Sequence, residues 1–167
     1  MHAVSKVSHE HHAILREHIE DLYGLANSLC PDCLDTPGAL AEIKELRGLE
    51  RGLREQLVPH MDAVEAAVYP TLERIMNDRQ MSAPMRDEHR EIRRLVERIG
   101  DIVDRPDQLM DRYSVLALRR VMLKLHVLLK SHLIEEELYL PILEDRLTPE
   151  GEAALGRALD HLSSARL

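Results

Sequence analysis

Apolar residues recur every three or four positions along most of this chain, which is the spacing of one face of an α-helix. Turn-forming residues interrupt the pattern, most clearly in the stretch NSLCPDCLDTPG at residues 27–38. The pattern predicts four long helices and a short fifth helix. The first predicted helix covers about residues 6–29, and the second covers about 36–77, with Thr36 as N-cap and Pro37 as first residue. The third is about 20 residues long and follows a cap at Ser82 and Pro84, and the fourth runs from near Asp107 to Leu147. The fifth covers about 149–164, with Leu155, Leu159 and Leu162 inward.

Composition agrees with a helical fold. Leu and Ala dominate the apolar fraction, and Phe and Trp are absent, which favours helices over a sheet of β-branched and aromatic residues. A length of 167 residues suits one domain with a sizeable core. We therefore predict a single all-α domain over residues 1–167. Its bundle spans about residues 6–146, and the C-terminal helix packs on it.

The chain also contains an internal repeat. The segment HAILREHIE, which begins at His12, matches HREIRRLVE, which begins at His89, in its His, Arg and Glu and in two aliphatic positions. The second and fourth predicted helices match as well, because each carries His, then Glu, then Pro. This A-B-A′-B′ order predicts an antiparallel up-down four-helix bundle with approximate two-fold symmetry.

Residues with metal-binding side chains interrupt the apolar stripe of each long helix. On the fourth helix, His132 and Glu136 are four residues apart, so both face inward, one above the other. The repeat extends this pair to six candidate ligands: His12, His60, Glu65, His89, His132 and Glu136. Buried charges are costly without partners, so the set predicts a metal centre. Mixed imidazole and carboxylate ligands with open positions suit two bridged iron ions, while manganese and zinc are alternatives.

The choice of glutamates depends on the prolines. Glu65 and Glu136 each precede a proline by five residues, which favours Glu136 over its neighbours Glu135 and Glu137. Glu65, however, follows His60 by five residues, which displaces it by about 140° on an ideal helix. We therefore expect a π-bulge between His60 and Glu65, aided by Pro59 and Pro70, while the fourth helix stays regular through its ligands.

These residues resemble the hemerythrin-like HHE cation-binding domain family over about residues 6–146. The resemblance lies in the order His, His…Glu, His, His…Glu along four helices and in the HxxLR and HxxIR contexts of His12 and His89. It implies a non-haem di-iron centre, oxo- or hydroxo-bridged, that binds or reacts with O₂, NO or peroxide. Oxygen carriers of this family usually have a further histidine one turn from the third-helix ligand, where this chain has Met85 and Arg93. The resemblance therefore favours redox chemistry, such as peroxide breakdown, over reversible oxygen carriage.

Whether the chain is an enzyme stays open at the level of sequence. The alternative is a regulatory module that senses iron or oxygen and whose fold the metal stabilises; a third reading is a hydrogen-bonded polar network without metal. Tyr69 or Tyr139 is expected near the centre, as a hydrogen-bond donor to bound oxygen species. A homodimer also remains open.

Charge and hydropathy exclude several classes of partner. The formal net charge of −8 argues against binding to nucleic acid or to anionic membranes. No apolar run is long enough to span a bilayer, and the N-terminus lacks the apolar core of a signal peptide, so a cytoplasmic location is expected.

Other cofactor motifs fit less well. A ferritin-like centre needs Glu three residues before its histidines, where Leu57 and Leu129 stand. Covalent haem needs a histidine directly after the second cysteine, but Leu34 follows Cys33. The pair Cys30 and Cys33 is compatible with a redox disulfide or with a zinc site shared between two subunits, yet two loop thiols without function are the favoured interpretation.

Overall fold

A computed structural model describes residues 3–32, 37–104 and 110–164, and these parts contain helices and no strand. The helices are α1 (Ala3–Ser28), α2 (Pro37–Gly52), α3 (Val58–Ala63), α4 (Tyr69–Met76), α5 (Ala83–Val103), α6 (Arg112–Arg146) and α7 (Pro149–Ser164), and π-helical turns π1 (Leu53–Leu57) and π2 (Val64–Val68) join α2 to α3 and α3 to α4. The fold is therefore all-helical, as predicted. Among the described residues, no helix combines the length and the apolar character needed to cross a membrane.

The long rod from α2 to α4 is irregular at two points, and a proline follows each of them. The backbone N–H of Val58 donates to the carbonyl of Leu53, and that of Tyr69 donates to the carbonyl of Val64, so both bonds span five residues instead of four. Pro59 and Pro70 come directly after these bonds. A proline has no N–H to continue the regular ladder, and its ring crowds the carbonyl four residues earlier, which favours a widened turn there. Widened turns are present in this rod, but the predicted position between His60 and Glu65 is wrong, because the turns cover Leu53–Leu57 and Val64–Val68 on either side of a regular α3.

The ends of three helices show which residues act as helix caps. α6 begins after Asp111, whose carboxylate accepts a 2.7 Å hydrogen bond from the backbone N–H of Ser114. α4 ends at Asn77, which has a left-handed φ of 51°. α5 begins after Ser82 and has Pro84 in its first turn, as predicted, but the Ser82 hydroxyl donates to the carboxylate of Glu73 and forms no capping hydrogen bond. Predictions on Thr36, Cys33, Asp107 and the side chain of Leu162 lie outside the described residues.

Packing arranges the helices around two apolar clusters. α1 contacts α6 and α2, and α5 contacts α6 and α2. The larger cluster includes Leu15, Ile92 and Leu129, and the smaller one includes Val4 and Leu143. Along α1, α5 and α6, the histidine that interrupts the stripe falls between members of the two clusters. The polar residues are therefore enclosed by hydrocarbon at both ends.

The C-terminal helix α7 covers one side of the fold. It contacts α1, α3 and π2, and it buries Leu155 and Leu159 in the smaller cluster. Its position agrees with the predicted packing arm. Through α1 and α3 it lies against two of the elements that carry the candidate ligands.

Candidate metal centre

The four imidazoles predicted from the sequence converge on one carboxylate, Glu136. Nε2 of His12 and Nε2 of His60 lie 3.1 Å and 3.2 Å from Oε2 of Glu136. Nε2 of His132 and Nε2 of His89 lie 3.3 Å and 3.6 Å from its Oε1. Each carboxylate oxygen thus faces one pair of histidines.

Two groups of ligand atoms result, and in each group all atoms lie within 4.8 Å of one another. We call His12, His60 and Glu136 the first ligand group, and His89, His132 and Glu136 the second ligand group. Their side chains come from α1, α3, α5 and α6. α6 supplies its pair on a regular helix, as expected, and all five residues are buried. The structure therefore brings together five of the six predicted ligands.

Hydrogen bonds at Nδ1, the ring nitrogen that faces away from the centre, fix the orientation and tautomer of two ligand histidines. Nδ1 of His89 lies 2.8 Å from Oε1 of Glu65, and Nδ1 of His132 lies 2.8 Å from Oε2 of Glu88. A carboxylate accepts, so each Nδ1 carries the proton. The lone pair of a neutral ring is then on Nε2, which points to the centre. Metal-binding histidines need this tautomer and this outer partner, so the donor set fits a metal ion.

In the first ligand group, one histidine has an outer hydrogen-bond partner at Nδ1 and the other has none among the described residues. Nδ1 of His12 lies 3.2 Å from Oε1 of Glu137, and this carboxylate is also paired with Arg16. Nδ1 of His60 is buried and has no hydrogen-bond partner among the described residues. The ring edge of His11 packs near His60, with the centroids 5.7 Å apart. The internal repeat aligns His12, and not its neighbour His11, with His89, and the structure places His12 at the centre.

Electrostatics at the centre favour a cation. Burial raises the pKa of Glu136, but hydrogen bonds with the four histidines hold it well below the ordinary range, so this carboxylate stays ionised. Burial lowers the pKa of His60 and outweighs the opposing effect of Glu136, which keeps that ring neutral. An ionised carboxylate and a neutral imidazole are the states that bind metal.

The outer carboxylates add further negative charge. Three of them contact ring nitrogens of the ligand histidines: Glu65, Glu88 and Glu137. Arg93 neutralises Glu65 through a 2.9 Å contact from Nη1, and Arg16 neutralises Glu137. Neither Glu88 nor Glu136 has an Arg or Lys partner among the ion pairs of the described residues. The unbalanced charge opposes burial of an empty site and is offset when a cation binds.

Glu65 is the predicted ligand that the structure does not bring to the centre. α3 continues regularly past His60, and π2 begins only at Val64, so the widened turn comes too late to rotate Glu65 onto the face of His60. Its carboxylate instead contacts Nδ1 of His89 and Arg93. In this structure Glu65 therefore contacts His89 from outside the centre, and its role as a direct ligand stays a prediction.

A phenol hydroxyl takes the place next to the second ligand group. Oη of Tyr69 lies 3.2 Å from Oε1 of Glu136 and 3.3 Å from Nε2 of His89. Tyr69 is 1% exposed. Burial and the charge of Glu136 raise the pKa of Tyr69, so without metal the phenol keeps its proton. The sequence placed Tyr69 or Tyr139 near the centre, and Tyr69 is the one that contacts ligand atoms.

A small cavity of about 20 Å³ adjoins the centre. It is lined by His12, Glu136 and Tyr69 together with apolar side chains that include Val68 and Leu143. A volume of this size holds about one water molecule. The cavity touches a histidine of the first ligand group and none of the second.

We expect removal of an outer carboxylate to weaken metal binding. Glu88→Ala should lower affinity about 10- to 100-fold, because His132 loses the acceptor that fixes its tautomer and orientation. Asp87→Ala is the matched control, since this neighbouring side chain is 66% exposed and, among the described residues, forms its ion pair with Arg90. Titration against a competing chelator measures both variants. Equal affinities would contradict the orienting role of Glu88.

Sequence reasoning missed Glu88 and Glu137 as outer partners. Each contacts a histidine on another helix, Glu88 from α5 to α6 and Glu137 from α6 to α1. The periodicity of a single helix cannot predict a contact between side chains of two different helices. Arg16 and Arg93 form salt bridges with Glu137 and Glu65.

Comparison with known proteins adds one positive finding. The model of one protein family, the hemerythrin HHE cation binding domain, matches residues 4–143. No curated protein and no solved structure matches the chain. The matched range contains both ligand groups and ends at Leu143 of α6.

Proposed function

We propose, from the premise that this chain belongs to the hemerythrin HHE cation-binding domain family, that it holds a non-haem di-iron centre that binds or reacts with O₂, NO or peroxide. The observation that carries the proposal is the pair of buried ligand groups that share Glu136. Iron, when bound, would supply open coordination positions and redox chemistry. We also infer that the four long helical segments form the antiparallel bundle typical of this family, which agrees with the contacts of α1, α2, α5 and α6.

The protein's own residues would have three tasks. The four histidines and Glu136 would hold the metals, with one imidazole pair on each carboxylate oxygen. The outer carboxylates would fix the orientation of three of the rings. The apolar clusters at both ends would exclude bulk water, which strengthens electrostatic interactions at the centre.

The cavity supports a small ligand at the first ligand group. Its volume of about 20 Å³ admits a molecule near the size of water, which fits a diatomic molecule or peroxide better than an organic substrate. His12 and Glu136 line it, so an incoming molecule would meet the metal of that group. Four histidines, where the oxygen carriers of the family use five, favour redox chemistry over storage.

The proposal predicts two irons per chain and reactivity that depends on the ligand histidines. Protein loaded with iron should show the absorption of a bridged di-iron centre by optical spectroscopy, and its reduced form should change spectrum with O₂, NO or peroxide. His60→Ala should lose iron, because His60 is buried within the first ligand group. His18→Ala is the control, since His18 contacts Gln56 away from the centre.

Elemental analysis gives the stoichiometry for both variants and the parent protein. Zinc or manganese at two ions per chain, with iron excluded, would keep the metal centre and reject the di-iron assignment. Two irons without any spectral response to the three small molecules would reject the reactivity.

A further inference from the structure

A further oxygen atom lies beside the three donor atoms of the second ligand group and would be a fourth donor there. We propose that the phenol oxygen of Tyr69 is a direct ligand of the metal held by His89, His132 and Glu136. The inference rests on the proposed metal centre and specifies which side chain completes one of its two positions.

Distances place the phenol oxygen among the ligand atoms. It lies 3.3 Å from Nε2 of His89 and 3.2 Å from Oε1 of Glu136, which are both atoms of the second ligand group. Nε2 of His89 lies 2.8 Å from Nε2 of His132. A metal bonded to these nitrogens and to Glu136 would therefore meet Oη of Tyr69 as its next neighbour.

Two side chains of α5 pack against the ring of Tyr69. It stacks on the ring of His89, with centroids 5.5 Å apart and planes inclined by 26°. The guanidinium of Arg86 lies 5.2 Å from the ring centroid. The side chain is almost fully buried, so it cannot swing away to solvent without disrupting this packing. A donor fixed in this way loses little conformational freedom when it binds a metal.

The local backbone explains why a tyrosine occupies this place. π2 ends at Val68, and the N–H of Tyr69 donates across the widened turn to the carbonyl of Val64. Glu65, within the same turn, points to the outer side of His89. In the internal repeat, alignment on Pro70 and Pro141 pairs Tyr69 with Leu140, an apolar residue, so only one half of the repeat has a phenol at this position.

The two metal positions would consequently differ. The second would have two imidazoles, a carboxylate and a phenolate, whereas the first would have two imidazoles and the shared carboxylate and would face the cavity. When the phenol oxygen bonds to the metal, its proton leaves to solvent and no electron is transferred. Phenolate adds one negative charge, which offsets the charge of a trivalent ion.

The test uses the full chain loaded with ferric iron. A phenolate ligand on ferric iron gives a broad visible charge-transfer band and resonance-enhanced tyrosinate ring vibrations. Tyr69→Phe should abolish both signals and weaken binding of one of the two irons about 10-fold or more. Tyr139→Phe should leave both signals unchanged, because Tyr139 lines the cavity but, among the described residues, forms no hydrogen bond to a ligand atom.

A second arm leaves Tyr69 untouched. The chain has four tyrosines, and in the triple variant Tyr23→Phe, Tyr113→Phe, Tyr139→Phe only Tyr69 remains. This protein should keep the band, and ring-deuterated tyrosine should shift the enhanced vibrations. Two irons without tyrosinate signals, or signals that persist in Tyr69→Phe, would overturn the ligand assignment and leave the di-iron proposal standing. Failure to bind any iron would overturn both.

Discussion

Replacement of Glu136 by Gln is expected to remove both metals in one step. Each oxygen of Glu136 faces a different pair of histidines, so this carboxylate is the residue shared by both ligand groups. Gln offers one neutral oxygen and an amide nitrogen that cannot bind a cation. We expect the metal content to fall from two ions per chain to near zero, with affinity reduced at least about 100-fold.

Glu135→Gln is the matched control for this prediction. Glu135 precedes Glu136 on the same helix, and among the described residues its carboxylate accepts a hydrogen bond only from the hydroxyl of Ser131. The two variants have the same composition and the same loss of formal charge. Elemental analysis and circular dichroism, measured on proteins loaded identically, separate lost ligation from lost folding. A folded Glu136→Gln protein that retains one or both metals would contradict the shared role of this carboxylate.

Much of this centre follows from periodicity and from the repeat. His132 and Glu136 can be predicted because a regular helix places residues four apart on one face, and α6 is regular through them. The match between the segments at His12 and His89 selects His12 over His11, and the structure brings both matched histidines to Glu136. Such predictions succeed where one helix alone decides which way a side chain points.

The positions of Glu65 and Tyr69 could not be predicted in the same way. The sequence shows that one residue must be absorbed near His60, but it does not show where the widened turn begins. The widened turn begins at Val64, which turns Glu65 outward. Tyr69 follows the turn directly, and its hydroxyl contacts the second ligand group. Pro70 favours a widened turn directly before it, but contacts between helices decide which groups Glu65 and Tyr69 then meet. Contacts between helices are also what place Glu88 behind His132.

Removal of the metals should lower the melting temperature by about 10–20 °C. A ligand present at about 100 times its dissociation constant stabilises the folded state by about 2.7 kcal/mol, and two sites would contribute about 5 kcal/mol. For a chain of this size, about 1 kcal/mol corresponds to about 2–4 °C. The ligands come from α1, α3, α5 and α6, so the metals would link elements that lie far apart in the sequence.

Thermal melts of the metal-loaded protein with and without chelator measure this effect, and the Glu136→Gln variant, which should not respond to chelator, is the control. An unchanged melting temperature despite two bound metals would contradict the stabilising role. Parallel assays of peroxide consumption then distinguish the two functional hypotheses. Stabilisation with turnover supports redox chemistry at the cavity beside His12. Stabilisation of the same size without turnover supports a regulatory module. In that case, the only effect of metal occupancy that these assays detect would be a change in the population of folded protein.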